Sequence, residues 1–262
     1  MNEKKSKARL DMLLVEQRLA PSLERARALI LAGRVLVNEQ KADKPGITVA
    51  SGAALRLLGD EQLYVSRGGL KLAGALAHWK IAVEGRACLD VGASTGGFTD
   101  CFLQHGAVRV TAVDTGFGQI AMKLRNDQRV RLMERTNARL LEPCALTAKA
   151  DEVELTLLAM DVSFISATML LGPVFAAAPG VTEAVVLVKP QFEVGRGDVG
   201  KGGIVRDPAV HQLAIDKVAD CVRSLGWVVV EIIDSPITGM EGNKEFLLYA
   251  KRNEPKSRSL IA

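Results

Sequence analysis

The segment Leu89–Asp100 reads LDVGASTGGFTD, with three glycines among the six residues that follow Val91. Glycine has no Cβ and adopts positive φ angles readily, so a glycine-rich turn predicts a close approach of backbone to another group. Asp90 stands near the end of the apolar stretch that leads into the turn. The elements around the turn decide which group it approaches.

From Tyr64 onward, apolar segments of strand length alternate with segments of helical length. The predicted strands are ACLDVG, VRVTAVDTG, ELTLLAMDVSF, AVVLVKPQF, WVVVEIIDSP and KEFLLYAKR, and the predicted helices are KLAGALAHW, GGFTDCFLQHG and DPAVHQLAIDKVADCVRSLG. This alternation predicts an α/β fold whose parallel sheet is covered by helices on both faces. Ligands of such sheets bind beyond the carboxyl ends of the strands, which is where the glycine turn is expected.

One interpretation of the turn is the nucleophile elbow of a serine hydrolase, because Gly92–Gly96 matches G-x-S-x-G. Ser94 would then need a histidine. His105 lies on the helix that directly follows the turn and cannot easily fold back onto it, and His211 lies near the start of a later helix, where surface positions are common. We therefore do not favour a hydrolase.

Two phosphate-binding motifs also fail. The segment Gly195–Gly203, GRGDVGKGG, matches G-x-x-x-x-G-K, but Gly202 stands where the Mg²⁺-binding hydroxyl of a P-loop would be. We interpret it as a mobile basic loop, and both a contact with substrate and a connector without function stay open. The turn at Gly92 has the spacing G-x-x-x-G-G, which is not the dinucleotide fingerprint, and it contains no lysine or arginine.

The turn instead offers acids. Asp90 precedes it, and Asp114 ends the next predicted strand about twenty residues later, where an acid can accept the hydroxyls of a ribose. S-adenosylmethionine is a nucleoside with a sulfonium cation and no phosphate, so a close backbone and acidic walls suit it. We predict that the turn holds S-adenosylmethionine.

Composition places further limits on the protein. The 262 residues are 48% hydrophobic and 24% charged, as in a protein that buries a core. No apolar run approaches the roughly 20 residues needed to cross a bilayer, and no signal peptide is recognisable. The four cysteines form no C-x-x-C pair, and with three histidines they give no metal-site spacing. We expect a cytoplasmic monomer with reduced thiols, no metal and no membrane contact.

Positive charge is concentrated near the N-terminus. Residues 1–44 hold ten basic and six acidic residues, whereas the remaining 218 residues hold 24 of each. The same segment predicts two helices followed by short strands, with Ser22 as the N-cap and Gly33 as the stop of the second helix. A compact basic module suggests a polyanionic partner, although a solvated surface is an alternative. The stretch Leu23–Gln40, LERARALILAGRVLVNEQ, resembles the S4-type RNA-binding domain.

Four ionisable residues stand where a strand–helix alternation does not need them. Lys71 lies in an otherwise apolar helix, Asp161 and Lys189 end strands, and Glu245 lies in the last strand. Taken singly, each has an ordinary explanation, since a helical lysine commonly extends its amine to solvent and an acid after a strand commonly caps a helix.

Together, however, the four residues resemble the Lys-Asp-Lys-Glu tetrad of the FtsJ-like ribose 2′-O-methyltransferases. The chain is most similar to the TlyA family, which joins an S4-type domain to such a catalytic domain. The similarity is carried by YVSRGGLKL, LDVGASTGGFTD, NDQRVRLMERTNAR, DVSFIS, LVKPQFEVG and GNKEFLLY. It implies a methyltransferase fold, a mostly parallel sheet with an antiparallel last strand, behind a small α+β S4-type domain. We expect the S4-type domain at 1–60, a linker at 61–64, the catalytic domain at 65–252 and a polar tail at 253–262.

The resemblance also implies roles for individual residues. The catalytic tetrad is Lys71, Asp161, Lys189 and Glu245. The cofactor pocket comprises Asp90, Gly92, Ser94, Thr95, Gly96, Gly97, Asp114, Asn137 and Phe164. We expect Lys189 to accept the proton of the ribose hydroxyl, because burial and a second nearby cation, Lys71, favour the neutral amine.

The implied substrate is ribosomal RNA, with cytidine 2′-hydroxyls as targets on ribosomal subunits. The expected RNA-binding residues are Arg9, Arg18, Arg25, Arg27, Arg34, Lys41, Arg67, Arg196 and Lys201. Two alternatives stay open. Related proteins are also labelled haemolysins, which would make this a membrane-active protein, and a non-catalytic RNA-binding or ribosome-assembly factor is the other.

Overall fold

The structure, a computed structural model, describes residues 7–17, 19–58, 63–150, 152–239 and 241–253. The chain divides into two compact units, Met1–Leu63 and Tyr64–Ala262. Positions 61 and 62 of the expected linker, positions 254–262 of the expected tail, and Arg18 lie outside the described residues.

The first unit combines two helices with short strands. Its elements are β1 (Lys7–Arg9), α1 (Leu10–Glu16), α2 (Leu23–Leu31), β2 (Val35–Val37), β3 (Gln40–Ala42), β4 (Thr48–Ala50) and β5 (Leu55–Leu57). The predicted start of α2 is confirmed, since the Ser22 side chain accepts a hydrogen bond from the backbone N–H of Arg25 at 3.2 Å. The predicted order of two helices followed by short strands is confirmed, and the structure adds a strand that was not predicted, β1, which precedes α1 and pairs antiparallel with β4.

The second unit contains the remaining elements. They are α3 (Gly68–Trp79), β6 (Ala87–Val91), α4 (Gly97–Gln104), β7 (Arg109–Val113), α5 (Met122–Arg125), β8 (Val130–Met133), β9 (Leu155–Met160), α6 (Thr168–Ala177), β10 (Glu183–Val188), α7 (Pro190–Glu193), α8 (Pro208–Ser224), β11 (Trp227–Asp234) and β12 (Phe246–Arg252). The N-cap prediction for α8 is confirmed by a 2.8 Å hydrogen bond from the backbone N–H of Ala209 to Asp207 Oδ1.

Among the described residues, seven strands form one sheet in the order β11-β12-β10-β9-β6-β7-β8. Neighbouring strands from β10 to β8 run parallel, whereas β12 is antiparallel to both β10 and β11. The predicted α/β class, with a mostly parallel sheet and an antiparallel last strand, is confirmed. This topology brings the carboxyl ends of β6, β7, β9 and β10 to the same edge as the start of β12.

Helices cover both faces of this sheet. Apolar side chains of α6 and α8 pack on one face, and those of α3 and α4 pack on the other. The central strands are therefore buried on both sides, and Leu157, Leu158 and Ala159 in β9 are each 0% exposed. Such strands read as continuous apolar runs, which is why the sequence indicated them. In the described part of the chain, no helix has both the length and the apolarity that a membrane crossing requires.

Candidate functional site

The glycine turn after β6 packs against other parts of the second unit. Gly92 has φ +88°, and a Cβ there would lie 2.2 Å from the carbonyl oxygen of Asp161. A Cβ at Gly97 would lie 2.3 Å from Ser66 Oγ. The close approach predicted from the sequence is thus, at these two glycines, an approach to neighbouring protein atoms.

A pocket of about 430 Å³ opens beside this turn, at the carboxyl ends of β6, β7 and β9. Its size lies within the range of small-ligand sites. Five of the expected cofactor residues line it, namely Gly92, Ser94, Asp114, Asn137 and Phe164. The other four, Asp90, Thr95, Gly96 and Gly97, are not part of the lining. Asp161 of the expected tetrad lines the pocket as well, so the tetrad and the expected cofactor residues meet at this position.

Asp90 is a buried acid behind the turn. It is 0% exposed, its Oδ2 accepts a 2.6 Å hydrogen bond from Thr99 Oγ1, and its Oδ1 has no partner in the structure. Burial raises the pKa of Asp90 to about 7, with a smaller contribution from the nearby charge of Asp161. The unpartnered oxygen gives this acid a free acceptor, which suits a cationic group in its vicinity.

Asp114, at the end of β7, holds the turn in place. Its Oδ2 accepts a 2.8 Å hydrogen bond from the backbone N–H of Ser94, and its Oδ1 accepts one of 2.6 Å from that of Gly116. Because each carboxylate oxygen can accept more than one hydrogen bond, Asp114 retains acceptor capacity toward the pocket. The sequence indicated the acid but not its bonds to the turn.

Lys71 and Glu245 form a buried ion pair. Lys71 Nζ lies 2.5 Å from Glu245 Oε2, and the two residues are 7% and 3% exposed. Helix α3 carries Lys71, while Glu245 directly precedes β12 and does not lie within that strand as the sequence suggested. A charged group buried this deeply is unfavourable unless it is paired, and here Lys71 and Glu245 pair with each other.

Lys189 pairs with the other acid. Lys189 Nζ lies 2.6 Å from Asp161 Oδ1 and donates a 2.8 Å hydrogen bond to Ser163 Oγ. Both Asp161 and Ser163 line the pocket. Ser163 was missed in the sequence, although its position two residues after Asp161 in DVSFIS was a usable signal.

Strand register brings the two ion pairs together. The last residues paired between β10 and β12 are Val188 and Phe246. Lys189 follows the first and Glu245 precedes the second, so they leave the sheet side by side. Since β9 is the neighbour of β10 on the other side, Asp161 leaves the same edge. The structure thus brings all four expected tetrad residues to one edge, beside the pocket.

Phe164 extends from the loop after β9. Phe164 is 92% exposed, and its backbone φ angle of +66° is unusual for an aromatic residue. The ring lies 5.4 Å from that of Phe192, measured between centroids. An exposed aromatic ring at the mouth of a pocket is available to a ligand.

The glycine-rich segment 195–203 lies beside the residues that precede β12. It forms two short 3₁₀ turns, Arg196–Asp198 and Lys201–Gly203. The buried side chain of Asn243 joins its end to the segment before β12, since Oδ1 accepts from the backbone N–H of Val205 and Nδ2 donates to the carbonyl of Gly203, both at 2.9 Å. No α-helix starts at Lys201, because the next one, α8, begins at Pro208, and the rejection of a P-loop therefore stands.

In the first unit, a buried acid orients two of the expected RNA-binding arginines. Asp11 is 0% exposed, and it accepts hydrogen bonds from Arg9 Nε and Nη2 at 3.0 and 2.8 Å and from Arg27 Nε at 3.0 Å. The bond from Arg9 is the main reason that the pKa of Asp11 lies far below its usual value. Both guanidinium side chains are about half exposed, so they present fixed positive charge at the surface.

The other expected RNA-binding residues are more scattered. In the first unit, Arg25 and Lys41 are exposed, and Arg34 donates from Nε to the carbonyl of Leu58 at 2.9 Å. In the second unit, Arg67 donates to the carbonyl of Thr238 at 3.1 Å, and Lys201 is exposed. The side chain of Arg196, like Arg18, is outside the described part of the structure.

The two histidines that were weighed as partners of Ser94 make other contacts. His105 Nδ1 contacts the carbonyl of Cys101 at 2.8 Å, and His211 Nε2 contacts that of Val205 at 2.9 Å. Cys88, Cys101, Cys144 and Cys221 are free thiols. The described residues contain no cluster of three or more metal-ligating side chains.

Comparison with known proteins gives two domain matches. Residues 64–252 match the family model of FtsJ-like methyltransferases, and residues 8–55 match the S4 domain. Each match falls within one of the two structural units.

Individual relatives span nearly the whole chain. The 16S/23S rRNA (cytidine-2′-O)-methyltransferase TlyA of Mycobacterium tuberculosis is 44% identical over 254 residues, covering 97% of this chain and 93% of its own. Hemolysin A of Brachyspira hyodysenteriae is 40% identical and covers 92% and 98%. The solved structure of a candidate hemolysin from Streptococcus thermophilus is 41% identical, covers 96% and 90%, and superposes with a TM-score of 0.71.

Proposed function

The chain belongs to the FtsJ-like methyltransferase family and carries an S4 domain, and on this basis we propose that it transfers a methyl group from S-adenosylmethionine to a ribose 2′-hydroxyl of ribosomal RNA. We propose cytidine as the target nucleoside, since the related TlyA of Mycobacterium tuberculosis is named for that reaction.

The observation that carries the proposal is the arrangement of two ion pairs beside the pocket. Lys71 with Glu245, and Lys189 with Asp161, come from four separate parts of the chain and meet at one edge of the sheet. Three of the four residues are buried, which is costly for ionisable groups that serve stability alone. Such clusters of buried ionisable residues at a pocket are typical of catalytic sites.

The pocket fits the proposed cofactor. Its charged lining residues, within the described structure, are the acids Asp114 and Asp161. Acids suit ribose hydroxyls and a sulfonium, and they would repel a phosphate. Asp90, which is buried behind the turn and does not line the pocket, would act on a sulfonium through its charge only. S-adenosylmethionine supplies an already reactive methyl group, which leaves alignment and proton handling to the protein.

We assign proton transfer to Lys189. The 2′-hydroxyl oxygen would form a bond to the methyl carbon as the bond from that carbon to sulfur breaks, and the hydroxyl proton would pass to Lys189 once its amine has released a proton to solvent. Asp161 and Ser163 hold this amine beside the pocket, at 2.6 and 2.8 Å. Lys71, fixed by Glu245, supplies positive charge near the developing alkoxide. Alignment of the two substrates accounts for most of the acceleration.

The S4 domain would deliver the RNA. Arg9 and Arg27, oriented by Asp11, present fixed guanidinium groups of the kind that bind phosphates. Because ribosomal RNA is the proposed substrate, we propose that the protein acts in the cytoplasm, as a monomer, on ribosomal subunits. Arg25, Arg34, Lys41, Arg67 and Lys201 are proposed as further RNA contacts.

The test is transfer of labelled methyl from S-adenosylmethionine to ribosomal subunits purified from cells that lack the protein. The wild type should label the RNA, and Lys189→Ala should not. A membrane-active protein or a non-catalytic RNA-binding factor should neither retain S-adenosylmethionine nor label RNA, so absence of both activities would refute the proposal.

A further inference from the structure

The segments that carry Asp161 and Lys189 separate from the sheet before they reach the site. The ladder between β9 and β10 ends at the pair Met160 and Val186. Beyond it, residues 161–167 and 189–194 are both described, and no backbone hydrogen bond joins them. Side chains must therefore set the distance between the two segments.

Besides the ion pair of Lys189 with Asp161, three side-chain contacts do so, one after another. Lys189 donates to Ser163 at 2.8 Å, the ring of Phe192 lies 5.4 Å from that of Phe164, and the Glu193 carboxylate accepts two hydrogen bonds from Ser166 and Ala167. The first two contacts use residues of the tetrad or the pocket. The third uses neither, and its residues have been given no role so far.

Glu193 is a buried carboxylate with full hydrogen bonding. It is 5% exposed, its Oε2 accepts from Ser166 Oγ at 2.5 Å, and its Oε1 accepts from the backbone N–H of Ala167 at 2.7 Å. Ala167 is the N-cap residue of α6, so the carboxylate closes the start of that helix, where negative charge is favourable. Glu193 itself ends α7, the single turn that begins directly after Lys189.

A further contact fixes this corner to the rest of the unit. Lys217, on the long helix α8, donates from Nζ to the carbonyl of Glu193 at 2.6 Å and lies 3.6 Å from its Oε2. The end of α7 is thus tied both to α8 and to the start of α6. Since Lys189 lies at the other end of this short turn, little freedom remains between Glu193 and the reacting amine.

We propose that Glu193 is a positioning residue, which holds the Lys189 segment against the loop of Asp161, Ser163 and Phe164 and thereby sets the place of the Lys189 amine. This inference rests on the proposed function of Lys189. Supporting residues of this kind keep reacting groups within about 0.5 Å of the productive geometry. A misplacement of about 1 Å can cost on the order of 100-fold in rate.

The experiment compares Glu193→Ala and Glu193→Gln with the wild type in single-turnover methyl transfer to ribosomal subunits. Rates are normalised to the concentration of sites that bind S-adenosylmethionine, which removes any effect of unfolded protein. We expect Glu193→Ala to lower the rate on the order of 100-fold, with the dissociation constant for S-adenosylmethionine within about threefold of wild type. Glu193→Gln should recover most of the rate, because the amide oxygen still accepts from Ala167 and the amide N–H₂ can donate to Ser166.

Glu183→Ala is the matched control. Glu183 is an ion-paired carboxylate at the opposite end of β10, where it contacts Arg86 at 2.9 Å. Its loss should lower the melting temperature and leave the normalised rate unchanged. A normalised rate for Glu193→Ala equal to that of the wild type, or a Glu193→Gln variant as slow as Glu193→Ala, would overturn the inference. A wild type that labels no RNA would instead refute the proposed function.

Discussion

Lys71 Nζ lies 2.5 Å from Glu245 Oε2, although 174 positions separate the two residues in the chain. Helix α3 and the start of β12 meet around this contact, and both residues are almost fully buried. The pair therefore contributes to the fold as well as to the proposed chemistry, and experiments on it have to separate the two effects.

We expect Lys71→Ala to destabilise the protein by about 3–5 kcal/mol, because it leaves the Glu245 carboxylate buried without its partner. The double variant Lys71→Met/Glu245→Leu removes both charges and should recover most of that loss while remaining inactive. Denaturant unfolding measures the first effect and methyl transfer the second. A stable and active double variant would show that the pair is structural only.

Lys189→Ala should abolish methyl transfer and leave the affinity for S-adenosylmethionine within a few-fold of wild type. The side chain reaches Asp161 and Ser163 at the edge of the pocket but does not itself line the pocket. Calorimetric titration with the cofactor measures binding, and label transfer measures the rate. Substantial turnover in this variant would exclude Lys189 as the base.

The raised pKa of Asp90, about 7, predicts a pH-dependent stability. An unfolded aspartic acid has a pKa near 3.9. Between these values the folded state binds more protons than the unfolded state, so the free energy of unfolding falls as pH rises from about 4 to about 7. The full effect amounts to about 4 kcal/mol.

Asp90→Asn removes this titration and keeps a group of similar size. Without cofactor, its free energy of unfolding should change less with pH than that of the wild type, with the difference confined to the range from about pH 4 to pH 8. Denaturant unfolding at a series of pH values measures this. Parallel curves for the two proteins would contradict the raised pKa of Asp90.

RNA binding should depend on the exposed basic residues of the S4 domain. If Arg25 and Lys41 each contact a phosphate, the double variant Arg25→Ala/Lys41→Ala weakens binding and reduces the slope of log affinity against log salt by roughly one per contact. Arg223→Ala, which removes an exposed charge from α8, is the control and should leave the slope unchanged. If the wild type, the double variant and Arg223→Ala all give the same slope, Arg25 and Lys41 do not contact phosphates of the RNA.

Several elements were predictable because their sequence follows one strong rule. The buried parallel strands are apolar runs, and α8 has Asp207, Pro208 and Gly226 at its ends.

Helix α6 was missed since Gly172 and Pro173 stand in its middle, and both disfavour helix. Tertiary packing overrides this, because Leu171 and Val174 on the same helix are buried against the sheet. Strand β8 was missed because it has only four residues and these are partly exposed.

The candidate site likewise has one part that was predictable from the sequence and another part that was not. The tetrad was predicted from its resemblance to a family, in which the chain order of the residues carries the information. The contacts of Glu193 with Ser166 and Ala167 were not predictable, because they depend on how two loops approach each other after their strands end. The partners of Asp114 in the turn depend likewise on backbone conformation, including the positive φ of Ser94.

The central claim is that the methyl group is placed on a ribose 2′-oxygen through Lys189. The most direct test is digestion of RNA from subunits treated with wild type or Lys189→Ala, followed by mass spectrometry of the nucleosides and of alkali-resistant dinucleotides. We predict 2′-O-methylcytidine within an alkali-resistant dinucleotide, with the wild type only. Methylation on a base, or the same product with Lys189→Ala, would contradict the account.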